Sequence, residues 1–403
     1  MYKRQGCFFA TLSGVLLAPN VGLDASALTL LVVQAFGAAA IGRFRSLPMT
    51  WVGGLIIGVA ASIATKYLTS RTILSGLPTA LPFIILFVSL LLVRQRGGLE
   101  SAKRLLRQEY PTRRLPATLQ VPGAIVVLGV LIAVPWLFKS DLTAWMGVLT
   151  DVILCLSLGL LVRSSRQISL CQLTFAAIGA VAFSKLAGAG VPWLPALLIA
   201  GLVVVPIGAL LAIPAVRLSG LYLALATFGF GLLVQAMFYQ TSIGFGIEEL
   251  GLPMPRPDTS WLRSDIGFYF LLLAFTILTS LLVIWLIRGR LGGLLRILGE
   301  SPLTLEAFGV NVTVTRILVF CLSAFLAAIA GALSGCSLGS VTGGSCLLYT
   351  SSSTIKLFFD LLLSGSPFER TTVARQRSMS RVVISSMRRS PNSGLRCAWM
   401  RAR

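Results

Sequence analysis

Apolar runs recur along this chain at 7–19, 27–42, 50–65, 78–93, 121–138, 142–162, 169–187, 193–215, 219–238, 266–287 and 317–338. Runs of this kind set the fold class before any other feature is considered. A backbone that crosses hydrocarbon must satisfy every N–H and C=O internally, which leaves only helices and closed barrels. Barrel strands appear as short alternating segments, and this chain has none of that pattern. Several runs fall short of a full span, so their ends are set only to within a few residues. The expectation is an all-α, polytopic transmembrane helical bundle with about 11 spans, each span needing about 17–25 residues.

Composition excludes several function classes. Hydrophobic residues make up 56% of the chain, charged residues 12%, and the mean hydropathy is +0.89. Soluble domains carry roughly 25% charged residues. A net charge of +21 raises the question of nucleic acid. The basic residues, however, stand mainly in short loops between apolar runs, where Lys and Arg fix cytoplasmic loops. The lipid bilayer is the expected partner, and no nucleic acid is. The chain has no histidine, which removes the commonest metal ligand and proton shuttle together. Its seven cysteines show no CxxC pairing, and five lie in or beside apolar runs, where Cys behaves as a small hydrophobe. The dipeptide Gly-Lys never occurs, so the chain has no phosphate loop. No cofactor, metal or catalytic constellation is expected, and any ATP chemistry belongs to a partner.

Charge bias orients the spans. With the polar segment 288–316 inside, Arg217, Arg163, Arg166, Arg43 and Arg45 fall inside too. So does the basic linker 94–120, with Arg94, Arg96, Lys103, Arg104, Arg107, Arg113 and Arg114. The loop 239–265 falls outside, where Glu248, Glu249, Asp258 and Asp265 face Arg256 and Arg263. Lys66 and Arg71 also fall outside, a mild violation.

The segment Arg288–Arg316 is a polar, Arg-bearing stretch between two strongly apolar runs. Ser301-Pro302 suits the start of a short helix, because proline is tolerated in the first turn. Glu306-Ala307 follows, and Gly309 allows a tight exit. Leu158–Val162 and Gln167–Ala180 form a second motif, in which Ser169, Gln172 and Thr174 offer small polar groups between packed helices. A third is Arg217-Leu218-Ser219-Gly220-Leu221-Tyr222-Leu223-Ala224-Leu225-Ala226-Thr227-Phe228-Gly229, in which Tyr222 and Thr227 could face a cavity. Asp151 stands inside an apolar run, and an intramembrane carboxylate is a functional candidate by default. Near an interface it could instead reach water. Gly54 and Gly58 form a GxxxG suited to helix contact.

Together these motifs resemble the permease subunits of branched-chain amino acid-type (high-affinity) ABC importers, over about 6–345. Residues 301–311 are similar to the cytoplasmic coupling loop of that family. The resemblance implies a bundle of the ABC-importer permease type in a bacterial or archaeal plasma membrane. It implies cytoplasmic ATP-binding subunits as partners, and a periplasmic or lipoprotein substrate-binding protein on the other face. The coupling residues would be Ser301, Pro302, Glu306, Ala307 and Gly309. The translocation path would draw on Ser169, Gln172, Thr174, Tyr222, Thr227 and Asp151. Cys171-Gln172 stands where the family usually has Gly-His, so plain helix packing there is as good a reading as path lining. An ordinary basic loop is the bland alternative for 288–316. Thr241–Gly246 resembles an external glycine-rich loop, and a flexible connector is its alternative reading.

The linker 94–120 divides the chain into 6–93, similar to the C-terminal part of one permease module, and 121–345, similar to a truncated partner module. A weak repeat supports the division, Phe9–Leu16 paralleling Leu326–Leu333. Met1–Gln5 is encodable as GTG-TAT-AAG-AGA-CAG and Cys346–Ser351 as TGT-CTC-TTA-TAC-ACA-TCT. These strings are reverse complements over their shared length, and they match the transposon end used to prepare sequencing libraries. The expectation is that 1–5 is adapter-derived and that 346–403 is an artefactual tail; a genuine basic cytoplasmic tail is the alternative. The runner-up function is an ion-coupled secondary transporter of small solutes. That class needs several buried ionisable residues, and Asp151 is nearly alone.

Overall fold

Each of the eleven apolar runs lies on a helix. The computed structural model describes residues 2–22, 25–42, 46–68, 77–92, 117–138, 141–165, 169–217, 221–239, 244, 251–257, 260–300 and 306–341, all within the unit Met1–Cys346. In chain order the helices are α1 (Tyr2–Val21), α2 (Ala25–Ile41), α3 (Leu47–Leu68), α4 (Leu77–Leu92), α5 (Ala117–Leu137) and α6 (Leu142–Ser165). They continue with α7 (Gln172–Gly188), α8 (Trp193–Arg217), α9 (Leu221–Val234), α10 (Ser260–Arg263), α11 (Asp265–Arg288), α12 (Arg290–Glu300) and α13 (Val312–Leu338). A π-helical turn, Gln235–Tyr239, extends α9. Among the described residues five helices are long and apolar enough to cross a membrane: α3, α6, α8, α11 and α13. The tail 346–403 and most of the linker 94–120 lie outside the described residues.

The long helices are delimited by local chemistry. At the start of α13, Asn311 Oδ1 accepts the N–H groups of Thr313 at 3.0 Å and Val314 at 3.4 Å. That satisfies donors a helix otherwise leaves orphaned. Its other end closes at Gly339, whose φ of +80° is the left-handed conformation glycine adopts without strain. Ser264 Oγ caps α11 by accepting the Gly267 N–H at 3.2 Å.

The core of the second half is built around α13. Its apolar window is 67% buried within the chain, against 17% for α3. It packs on α6, α7 and α8, while α11 lies against α6. Lipid tails are as apolar as leucine, so such helices associate by close backbone approach rather than by hydrophobic drive. Small residues supply that approach here. Gly179 of α7 lies on Ala328, and Gly331 of α13 lies on the backbone of Ala176. A Cβ at Gly208 would stand 2.9 Å from the Ala324 Cβ, and one at Gly201 would stand 2.7 Å from the Phe325 ring. Tyr269 Oη donates to the Leu131 carbonyl at 2.8 Å and ties α11 to α5. Thr276 Oγ1 donates to the Leu149 carbonyl at 3.4 Å and ties α11 to α6.

Helices α2, α3 and α4 pack on one another, and α4 packs on α9. At the latter contact a Cβ on Gly229 would meet Leu86 at 2.9 Å, and the Phe87 and Phe230 rings stand 6.4 Å apart. The GxxxG of α3 does not serve as expected. A Cβ at Gly58 would meet nothing within 4 Å and one at Gly54 only Ala38 Cβ at 3.9 Å, whereas Gly53 faces the Ala38 carbonyl at 2.9 Å. The register of the helix puts the neighbouring glycine on the packed face. The two copies of the weak repeat also differ in burial. Leu326–Leu333 is buried on α7, while Phe8, Phe9, Leu12 and Val15 of α1 are exposed and Gly14 has open space.

Replacing Gly331 by valine should therefore cost at least about 2 kcal/mol, an overpacking effect, while Gly58→Val should be nearly neutral. Thermal unfolding of the two variants in the same detergent, followed by size-exclusion fluorescence, checks the difference.

Candidate functional site

The residues 169–174 lead the chain into α7, with Ser169, Cys171, Gln172 and Thr174 buried and Leu170 exposed. Gln172, the first residue of α7, donates from Nε2 to Ser323 Oγ of α13 at 2.6 Å. Ser323 Oγ in turn donates to the Ser157 carbonyl of α6 at 3.0 Å. At about 1.5 Å per residue, Ser323 stands roughly 17 Å in from the first residue of α13 and Ser157 roughly 12 Å from the end of α6. The N-terminus of α7 therefore lies within the span, not at its edge. At the other end, Ser184 Oγ donates to the Pro253 carbonyl at 2.8 Å. A helix of 17 residues thus runs from mid-depth to one face.

Hydroxyls complete the node. Thr227 Oγ1 of α9 accepts the Leu170 N–H at 3.0 Å and donates to the Ala224 carbonyl at 3.0 Å. Ser169 Oγ shares a hydrogen bond with Cys171 Sγ at 2.9 Å and accepts the Cys171 N–H at 3.5 Å. A Cβ on Gly231 would stand 2.9 Å from Thr174 Oγ1, so α9 closes on the first turn of α7. Ser157, Ser169, Gln172, Thr174, Thr227 and Ser323 are all buried. Buried polar groups without partners are costly, and this network answers most of its own demand. One atom is an exception. Gln172 Oε1 is buried without a hydrogen-bond partner.

Of the residues expected on a path, Ser169, Gln172, Thr174 and Thr227 come together here. Asp151 lies on α6, six residues before Ser157 and one turn before Cys155, half-buried, and takes no part in the bonds just described. Tyr222 lies on α9, but its side chain is outside the described residues. Ser157 and Ser323 were not legible as members. A serine in an apolar helix commonly bonds its own backbone, and Ser157 Oγ does so, donating to the Leu154 carbonyl at 2.8 Å.

A second polar centre closes the opposite end of α13. Leu252–Pro253 pairs antiparallel with Ser340–Val341, and the Met254 N–H donates to the Gly339 carbonyl at 3.0 Å. Arg256 donates from Nε to the Cys336 carbonyl at 3.2 Å and from Nη2 to the Ser337 carbonyl at 3.3 Å. These carbonyls belong to the last turn of α13, where a cation is favoured. Arg256 Nη1 also reaches Asp265 at 2.7 Å, and the guanidinium lies 4.9 Å from the Phe268 ring centre. One side chain thereby binds the segment 251–257, α11 and α13.

Before the N-terminus of α13, Glu306, Ala307, Phe308 and Gly309 are exposed. The Gly309 N–H donates to the Glu306 carbonyl at 2.9 Å, and Gly309 adopts a φ of +74°. Two residues later Asn311 caps α13. Ser301 and Pro302 lie outside the described residues. Among the described residues no three His, Cys, Asp or Glu side chains are grouped as metal ligands would be.

Residues 142–358, more than half of the chain, match the family model described as branched-chain amino acid transport system / permease component. No curated protein and no solved structure matches the chain significantly.

Thr227→Val keeps the shape of the side chain and strands the Leu170 N–H, whose bond to Thr227 is part-buried. It should cost about 1–3 kcal/mol, with Thr227→Ser recovering most of it. Denaturation of both variants in the same detergent measures the pair.

Proposed function

The chain belongs to the branched-chain amino acid transport permease family, a group of membrane transport permeases and not enzymes, and from that premise we propose that it forms the membrane path of an ATP-driven importer. The cargo would be branched-chain amino acids or related small amide-like solutes. A separate ATPase would drive it through the cytoplasmic loop 288–316, and a periplasmic or lipoprotein substrate-binding protein would deliver solute to the outer face. The module reading extends this proposal. Residues 6–93 would represent the C-terminal part of one permease module, joined through the linker 94–120 to the partner module in 121–345.

One observation carries the coupling reading. The exposed turn Glu306–Gly309 is joined by only two residues to the N-terminus of α13, the helix on which α6, α7 and α8 all pack. Gly309 and the Asn311 cap make that joint stiff, since one takes a left-handed conformation and the other satisfies the first N–H groups of the helix. A push on the turn would reach the α6–α7–α9–α13 node with little slack. Earlier in the loop, α12 runs from Arg290 to Glu300 and packs on α6 and α11.

Mechanically, closure of the ATPase would tilt α13 and part its inner end from α6 and α7. The node at Gln172, Ser323 and Ser157 lies on that parting surface. The Arg256 cluster would hold the outer end of α13 together during the stroke, so the helix would pivot instead of translating.

The test is ATP-dependent uptake of radiolabelled leucine in cells expressing the chain with its ATPase and binding protein. Uptake should stop on ATP depletion and persist with an uncoupler; the reverse pattern would replace this reading by an ion-coupled carrier. Gly309→Val, which strains the left-handed turn, and Glu306→Lys should each lower uptake by about tenfold, equivalent to about 1.4 kcal/mol of coupling. Membrane abundance, read by immunoblot, should stay unchanged.

A further inference from the structure

The unsatisfied Oε1 of Gln172 is an acceptor held in a place that favours a particular ligand. Gln172 is only 4% exposed, and its Oε1 has no hydrogen-bond partner. The residue is the first of a 17-residue helix, and the Cys171 side chain does not cap that helix. Gln172 opens the helix, so its side chain stands at the end that carries the first-turn N–H groups, of which that of Phe175 is taken by the Cys171 carbonyl at 3.2 Å. Those groups, together with the helix dipole, make an anion-binding position. The neighbouring hydroxyls are committed elsewhere: Thr227 to the Leu170 N–H at 3.0 Å and Ser169 to the Cys171 N–H at 3.5 Å. Donors for an anion and an acceptor for a cationic N–H thus stand together at mid-depth.

An apolar surface adjoins them. Phe175 follows Gln172 by one helical turn, and Phe320 precedes Ser323 by one turn, so each lies on the same face as its polar neighbour. Both are fully buried, and their rings meet edge to face with centroids 6.0 Å apart. We propose that the N-terminus of α7 grips the zwitterionic head of the amino acid as it crosses. The α-carboxylate lies on the first-turn N–H groups, the α-ammonium donates to Gln172 Oε1, and the apolar side chain rests on Phe175 and Phe320. The proposal rests on the importer reading above and adds to it the atoms that recognise the cargo. The structure shows the site closed. Its opening requires Gln172 Nε2 to leave Ser323 as the helices part.

The site reads both ends of the head group, so a solute with only one end binds less well. The experiment uses the full chain in lipid nanodiscs, equilibrium binding of radiolabelled leucine, and two competitors lacking one charge, isoamylamine and 4-methylpentanoate. Leucine should bind about tenfold or more tightly than either competitor. Gln172→Leu should weaken leucine by about tenfold or more. Gln172→Glu puts a negative charge at the N-terminus of α7 and should invert the order, isoamylamine then binding more tightly than leucine. A misfolded variant cannot produce that inversion. Leucine binding that is absent in the native chain, unchanged in Gln172→Leu, or not inverted in Gln172→Glu would overturn the proposal. If binding is unchanged while ATP-driven leucine uptake continues, the head-group site falls and the importer reading stands. If the native chain supports no ATP-driven uptake, both fall.

Discussion

The close crossing of α13 with α7 is the contact on which the rest of the second half depends. Gly179 lies on Ala328 and Gly331 on Ala176, two reciprocal contacts one helical turn apart on each helix. In hydrocarbon, leucine and lipid offer equal company, so only approaches that lipid cannot imitate hold helices in a fixed register. Backbone set against backbone is such an approach. It brings the N-terminus of α7 level with the middle of α13, and Gln172 then meets Ser323. A register shift of one residue would turn the small face of either helix away and leave several buried hydroxyls without partners.

Polar groups divide between the two ends of that crossing. Inside the span, hydroxyls and one amide bond to backbone and to each other, because ionised groups are expensive there. At the C-terminal end of α13 a guanidinium takes over, with Arg256 holding the last carbonyls of α13, Asp265 and the Phe268 face at once. Its side chain is partly exposed and Asp265 more so, so the ion pair with Asp265 adds little energy by itself. The value of Arg256 is geometric. It makes one end of α13 a fixed point while the opposite end is attached to an exposed turn. That asymmetry suits a lever whose motion is greatest at the exposed turn.

Much of this fold was legible from hydropathy. All eleven apolar runs became helices, and even the short ones at 7–19 and 78–93 kept their places. The reason is that an unpaired peptide group in hydrocarbon costs several kcal/mol, which leaves a long apolar run no other ordered form. Register was less visible. The GxxxG of Gly54 and Gly58 pointed to a packed face that belongs instead to Gly53, because a helix face turns about 100° with each residue and adjacent glycines look alike in one dimension. The run 169–187 looked like another span, yet its helix begins at mid-depth, a consequence of where Ser323 and Ser157 meet it and not of its own composition.

The candidate site divides along the same line. Ser169, Gln172, Thr174 and Thr227 could be named from polar residues interrupting apolar runs, since each such residue must find a partner. Ser157, Ser323 and Arg256 could not, because their roles lie in bonds to residues far along the chain, 166 positions away for Ser323 to Ser157 and 80 for Arg256 to Cys336. The sequence by itself determined that this chain is a helical membrane protein and where its helices run. It did so because solvation by lipid acts on each segment separately. Tertiary structure decided which hydroxyls share a node, which glycine carries a crossing and which amide oxygen is left open. Those outcomes depend on the depth and rotation of one helix against another, which no segment encodes alone.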